Sequence, residues 1–260
     1  MPVHLTILGS GSQGNCAYLE TSQTRLLIDA GLSGRQIRNR LAGIGRAPET
    51  LTGILITHEH SDHISGLVGI AAKLNLPIYC NRLTKEAIEA QLQIQINAQI
   101  FATGASFEIG DVSVDTFPIP HDAYDPVGFL VHTEAGNIGF LTDLGHATKL
   151  VIERVRCANV LLLEANHDVK MLQDDTRRPW SLKQRILSRH GHLSNESAAD
   201  VVEQVISPQL RRLYLGHLSR DCNRPELARQ VVSARLQRLG GAHVCLEAAS
   251  QDVPCPTVAV

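Results

Sequence analysis

The stretch Thr57-His58-Glu59-His60-Ser61-Asp62-His63 constrains this chain more than any other. Four side chains able to bind a metal, His58, His60, Asp62 and His63, fall within six consecutive positions. They follow the apolar run 53–56, too short and too apolar to be anything but a buried strand. Apolar residues then recur at 64, 67, 68, 71 and 74, which is helical spacing. Packing has no use for four such groups together, and burying them unpaired costs on the order of several kcal/mol. In an extended segment His-x-His puts two imidazoles on one side. Asp62 and His63, on the turn into the helix, face a second position. Imidazole and carboxylate ligands suit zinc, and also manganese or iron.

The same arrangement recurs along the chain. The run 114–119 leads to His121, 138–141 to Asp143, 160–163 to Glu164 and 213–215 to His217. Strand ends at one edge of a sheet converge, and open α/β sheets hold ligands there. Elsewhere 3–8 reads as a strand, 16–20 and 25–30 as a hairpin, and 33–43 as a helix. A strand at 77–80 and a helix over 82–95 follow. Then comes a meander around Phe107, 112–117, 127–133 and 137–142. Helices are expected over 147–156, 180–190, 197–206 and 224–239, the last with Asn223 and Glu226 in capping-box spacing, and a closing strand over 243–246. Strand-rich and helix-alternating parts interleave without a linker or repeat, so the expectation is one α/β domain over 1–260.

Gly9-Ser10-Gly11-Ser12-Gln13-Gly14 matches the dinucleotide-binding fingerprint letter for letter. That fingerprint needs a helix next. A hairpin follows instead, so the glycines read as a tight loop or as one lining an active site. A formal charge of −2 gives no footprint of a dedicated nucleic-acid binder. Six scattered cysteines without a Cys-x-x-Cys pair argue against a disulfide framework. No signal peptide and no membrane-length apolar run is seen, so a cytoplasmic protein with no membrane partner is expected. The core must be aliphatic, since aromatics make up only 4%.

His58-x-His60-x-Asp62-His63, followed in order by His121, Asp143 and His217, resembles the metallo-β-lactamase superfamily. The resemblance implies a four-layer αβ/βα sandwich with the site between two sheets and no cap domain. It also implies two divalent ions. His58, His60 and His121 would hold one and Asp62, His63 and His217 the other, with Asp143 bridging. Gly191-His192-Leu193-Ser194 and Gly216-His217-Leu218-Ser219 resemble the late histidine motifs of the nucleic-acid branch, in which a glutamate at the position of Glu164 pairs with the earlier histidine. With the loop 9–15 and Asn166-His167-Asp168, the pattern is closest to the YycJ/WalJ-type proteins. That similarity implies a 5′→3′ exonuclease acting on duplex DNA.

The expected reaction is in-line attack of a metal-activated hydroxide on phosphorus. His192, oriented by Glu164, serves the leaving 3′-oxygen. Asp62 stands in both sets, as ligand and as catalytic residue. Substrate contacts are expected from Ser10, Ser12, Asn15, Asn166, Arg178 and Arg220. The basic run Lys170, Arg177, Arg178, Lys183, Arg185 and Arg189 is read either as a solvated face or as a phosphate track. Trp180 is read as a half-buried core residue. The alternative is a small-molecule hydrolase of the same fold, acting on a thioester, a lactone or a cyclic phosphodiester. A di-iron redox protein of this fold is disfavoured by His60, where such proteins typically carry a glutamate, and a non-catalytic module by the complete ligand set.

Overall fold

The computed structural model describes residues 2–260. The chain begins β1 (His4–Gly9), β2 (Cys16–Glu20), β3 (Arg25–Ile28), α1 (Gly34–Gly43), β4 (Gly53–Leu55), α2 (Ser61–Ile64), α3 (Leu67–Leu74), β5 (Ile78–Cys80), α4 (Arg82–Leu92) and β6 (Ala98–Ile100). The strands β7 (Ser106–Ile109), β8 (Val112–Pro118), β9 (Val127–Thr133) and β10 (Gly136–Leu141) follow. Helices and strands then alternate through α5 (Lys149–Val155), β11 (Val160–Glu164), α6 (Val169–Asp174), α7 (Trp180–Ile186), α8 (Asn195–Val205), β12 (Arg212–Gly216), α9 (Pro225–Arg238), β13 (Cys245–Ala248) and β14 (Val258–Ala259).

Two seven-stranded sheets result, in the orders β14-β1-β2-β3-β4-β5-β6 and β13-β12-β11-β10-β9-β8-β7. Strand alternation assigns side chains to layers. Leu26 and Ile28 of β3 face the second sheet, where they meet a core that includes Phe129, Phe140 and Leu162. Leu27 faces the other way, with Ile37 and Leu41 of α1, Ile70 of α3 and Ile88 of α4. On the far side Leu161, Leu163, Leu213 and Leu215 pack against Val151 of α5, Val202 of α8 and Val232 of α9. Helices, sheet, sheet and helices make the expected four-layer sandwich. Strands β3 to β6 run parallel, as do β10 to β13, and their carboxyl ends deliver the metal-binding motif, Asp143, Glu164 and His217 to one edge.

Several local expectations need correction. The helical pattern from 63 to 74 is two helices, because Gly66 donates its N–H to Ala30 O and breaks the run. The helix from 82 stops at Leu92, where Gln93 turns left-handed. The capping box at 223–226 does not form. Arg224 is the N-cap of α9, Pro225 opens the helix, and Asn223 is buried with its carboxamide on Ala165 O and Asn195. Strands β6 and β14 and helix α6 were not read from the sequence, since they are short and lack clear periodicity. Trp180 is 60% exposed at the start of α7, not a core residue. Among the described residues no helix is long and apolar enough to cross a membrane. All six cysteines are free.

One close approach decides how the metal-binding motif sits. Asn15 N–H donates to Asp62 O and Gly31 N–H to Asn15 O, so the chain at 29–31 lies directly on the turn into α2. A Cβ at Gly31 would stand 1.5 Å from Asp62 O, so only glycine fits. Gly31→Ala is expected to destabilise the fold by about 1–3 kcal/mol through overpacking, measured by denaturant unfolding of the metal-free protein.

Candidate metal centre

The loop after β4 carries His58 and His60, the latter in extended backbone. The one-turn helix α2 then lifts Asp62 and His63. The second sheet contributes His121 after β8, Asp143 after β10 and His217 after β12. Asp143 and His217 have φ of 58° and 54°, and Asp29, which follows β3, has 59°. These left-handed residues turn the chain sharply at the strand ends, a conformation costly outside glycine and tolerated best by Asn, Asp and His.

Donor atoms of His58, His60 and His121 lie within 4.8 Å of one another, as do those of Asp62, His63, Asp143 and His217. His60 Nδ1 is 3.3 Å from His121 Nε2, and His217 Nε2 is 3.2 Å from Asp62 Oδ2. Ligands bonded at about 2.1 Å around a tetrahedral ion would be separated by about 3.4 Å. His58 is fully buried, yet its Nε2 has no hydrogen-bond partner, and neither has Asp143 Oδ2. Buried polar atoms of this kind need a partner. Asp143 Oδ2 is 3.0 Å from His63 Nε2, in a geometry that makes no hydrogen bond. Asp143 also lies 3.9 Å from His121 Nε2 and 3.3 Å from His217 Nδ1, so it reaches both groups. This donor set fits divalent cations.

Five of the six imidazoles, all but His60, are oriented from behind, which fixes the ring and its tautomer. His121 Nδ1 donates to Gly191 O, and His58 Nδ1 contacts Thr57 Oγ1. His63 Nδ1 contacts Asp29 Oδ2 at 2.8 Å. Asp29 also accepts from Thr57 N–H and Oγ1–H. His217 Nδ1 contacts Glu164 Oε1 at 2.7 Å, and His192 Nδ1 meets the same oxygen at 2.7 Å. Glu164 Oε2 accepts from the backbone N–H of Leu144 and of Leu193.

The electrostatics follow. Burial would raise the Glu164 carboxyl, but the His192 and His217 imidazoles bring it down to about 2. Burial pushes His63 and His217 down, yet the carboxylates around each hold them well above the ordinary histidine value. His192 is likewise raised, with Glu164 outweighing burial. His58 has no adjacent carboxylate strong enough to offset burial and the charge on His63, and is held well below it.

A cavity of about 250 Å³ opens onto these groups. Ser12, Asn166 and Arg178 line it with His60, Asp62, Asp143, His192 and His217. Three expected substrate contacts lie elsewhere. Ser10 and Asn15 are buried behind the site. Ser10 Oγ donates to Asn15 Oδ1 and accepts the N–H of His217, and Asn15 Nδ2 lies 3.1 Å from His63 Nε2. The glycine loop is therefore a brace between the two sheets, with only Ser12 reaching the cavity. Arg220 is paired with Asp252 and lines a neighbouring cavity. Asn166 lines the wall but spends its amide on His217 O. The basic run is largely neutralised. Lys170 pairs with Asp174, Arg177 and Arg178 with Asp175 and Asp221, and Arg185 with Asp122. Lys183 is buried on Gln173 O, and Arg189 contacts His146. Asp29 was missed, although it follows an apolar strand as directly as Asp143 does.

A cleft of imidazoles and carboxylates at the joined strand ends of such a sandwich defines a metal-dependent hydrolase. The chain belongs to the β-lactamase superfamily, whose family model, described as “Beta-lactamase superfamily domain”, matches residues 24–218. Over 260 residues it is 39% identical to exodeoxyribonuclease YycJ of Bacillus anthracis, covering 99% of this chain and 98% of that one. Over 235 residues it is 41% identical to exodeoxyribonuclease WalJ of Streptococcus pneumoniae serotype 2, covering 89% and 87%. The fold also matches the metallo-β-lactamase fold protein YhfI from Bacillus subtilis, with a TM-score of 0.74 over 98% of this chain and 99% of that one, at 15% identity.

Two outcomes test the centre. Asp29→Asn keeps shape and left-handed backbone but removes the charge behind His63, so divalent-metal affinity should fall about 10–100-fold, measured by competition with a chelator. His63 and His217 hold protons up to a raised pKa, and ligation must expel them. Metal affinity should therefore rise with pH through neutrality and above, with proton release visible in weakly buffered calorimetry.

Proposed function

We propose that the protein hydrolyses phosphodiester bonds of DNA, working from a 5′ end, with two divalent ions held by its histidines and aspartates. His58, His60 and His121 hold one ion, and Asp62, His63 and His217 the other, with Asp143 shared. The donor chemistry suits zinc, manganese or iron. The observation that carries the proposal is the Glu164 carboxylate gripping His192 and His217 through one oxygen. A thioester or lactone hydrolase has no need of a second imidazole held by the same carboxylate beside the ligand set. The names borne by the relatives at 39% and 41% identity agree with a DNA substrate.

Bound divalent ions supply a water acidified towards neutral pH and a positive clamp on the phosphate. The protein's own groups do the rest. His192 Nδ1 is held by Glu164, which leaves Nε2 for the cavity. Burial pushes the ring down, but Glu164 raises its pKa above the ordinary histidine value, which favours the protonated form. As water oxygen bonds to phosphorus and the P–O3′ bond breaks, His192 Nε2 gives its proton to O3′. Glu164, tied to two backbone amides, keeps that ring from turning. Arg178 lines the cavity wall, its guanidinium held between Asp175 and Asp221.

The test is a substrate panel with Mn²⁺ or Zn²⁺: 5′-phosphorylated duplex DNA, bis-p-nitrophenyl phosphate and a thioester. DNA should be cleaved, and activity confined to the thioester would overturn the proposal. In His192→Ala turnover on DNA should drop roughly 100-fold or more while metal content stays unchanged. Undiminished turnover would remove His192 from the chemistry.

A further inference from the structure

The rim of the cleft beside His121 and His192 is built from three loops tied to one another. Gly145 N–H donates to Pro120 O, and His121 Nδ1 to Gly191 O. Arg185 of α7, a helix that walls the cavity with Leu182 and Ile186, pairs with Asp122. His146 Nδ1 donates to Arg189 O at 3.1 Å, and its Nε2 accepts from the Arg189 guanidinium at 2.8 Å. Of the basic residues between 170 and 189, Arg189 alone is exposed and, among the described residues, without a carboxylate partner. Two residues beyond Asp122, the Tyr124 side chain stands 72% exposed. Its backbone is nevertheless fixed. Tyr124 N–H donates to Glu59 Oε1 of the metal-binding motif at 2.9 Å. Asn81 Nδ2 donates to Asp125 O at 2.7 Å, and Thr103 Oγ1 to Asp125 Oδ2 at 2.8 Å. Ile119 N–H donates to Pro126 O. A single exposed apolar side chain needs no explanation. A tyrosine kept out of the core by a loop pinned on both sides of it is a different object: a rigid contact surface with little entropy left to lose on binding.

We propose that this rim receives DNA as a single strand, with Tyr124 stacked on an unpaired base and Arg189 on a backbone phosphate, so that a duplex end is opened before its strand reaches the metal centre. The inference rests on the nuclease reading and adds to it the form in which the strand is held. The charge balance points this way. A surface that grips an intact duplex neutralises many phosphates at once, and here Arg177, Arg178 and Arg185 are already spent on Asp175, Asp221 and Asp122. Stacking needs no charge, and every base offers a face to it whatever the sequence. Within a duplex those faces are covered by neighbouring pairs, so the Tyr124 ring finds one only where the strand has come unpaired. Arg189 adds one phosphate contact, and its guanidinium is oriented in advance by His146. Glu59 joins the two tasks, since the residue between His58 and His60 also fixes the backbone that presents the tyrosine.

The experiment uses the full chain loaded with Mn²⁺ and reads kcat and KM on 5′-phosphorylated DNA. The substrates are a blunt duplex, the same duplex with a short unpaired 5′ end, the same again with abasic residues in the unpaired end, and bis-p-nitrophenyl phosphate. The wild type should prefer the unpaired end to the blunt one by about tenfold for each base pair it no longer has to open. Tyr124→Ala should lower kcat/KM on the unpaired end about tenfold, through KM, and Tyr124→Phe, which keeps the ring, should restore it. On the abasic end there is nothing to stack on, so wild type and Tyr124→Ala should agree. Arg189→Gln should flatten the slope of log kcat/KM against log salt by about 0.7, the share of one single-strand phosphate. Blunt and unpaired ends cleaved alike, a Tyr124→Ala loss that is absent or equally large on the abasic end, or an unchanged salt slope in Arg189→Gln would overturn the rim's role while leaving a nuclease. Hydrolysis of bis-p-nitrophenyl phosphate with no DNA cleaved at all would overturn the nuclease reading and the rim's role together.

Discussion

Four carboxylates and six imidazoles share one nearly dry location. Asp29, Asp62, Asp143 and Glu164 stand among His58, His60, His63, His121, His192 and His217. Such a cluster is stable only when its charge is balanced and its lone pairs are used. Without metal, protons on His63, His192 and His217 provide the balance, and the raised pKa values of these three rings express it. Cations bound there would take over that duty at His63 and His217. His192 stands outside both proposed ligand sets, held on Glu164, which also receives His217 and two backbone amides. The cluster therefore sorts its histidines by what lies behind each ring.

The fold serves this requirement. Parallel strands end at one edge, so each can deliver a side chain to the same place without the chain crossing itself. The left-handed residues Asp29, Asp143 and His217 turn the backbone away at once and leave their side chains in the cleft. The glycine loop after β1 does related work from the opposite side. It places Ser10 on the His217 N–H and Asn15 beside His63, which ties the motif of one sheet to the ligand of the other.

Much of this was legible in the sequence, for a physical reason. A polar residue directly after a short apolar strand has few uses in packing, so His58, His121, Asp143, Glu164 and His217 stand out. Asp29 satisfies the same rule and was passed over, because its strand was read as half of a hairpin whose far end carried no interest. Ser10, Asn15 and Arg220 were assigned to substrate on chemistry alone. Whether a hydroxyl or guanidinium faces a cavity or a neighbour depends on tertiary contacts, here with His217, His63 and Asp252, that lie tens to hundreds of residues away. The basic run at 170–189 shows the same limit. Two of its countercharges, Asp122 and Asp221, come from distant loops, so the folded stretch carries much less net positive charge than its sequence suggests. Trp180 went astray because α7 lies over a cleft rather than over the core, so its first residue faces solvent.

The division of ligands between the sheets has one more consequence. His58 follows β4 of one sheet and His217 follows β12 of the other, and neither sheet alone supplies a complete ligand set. A nascent or partly unfolded chain can present His58-x-His60 to a cation but cannot assemble the cleft, the oriented His192 or the wall of α7. Hydrolytic competence is thus gated by docking of the two halves. The metal centre is therefore a product of the complete fold, formed only where the edges of the two sheets meet.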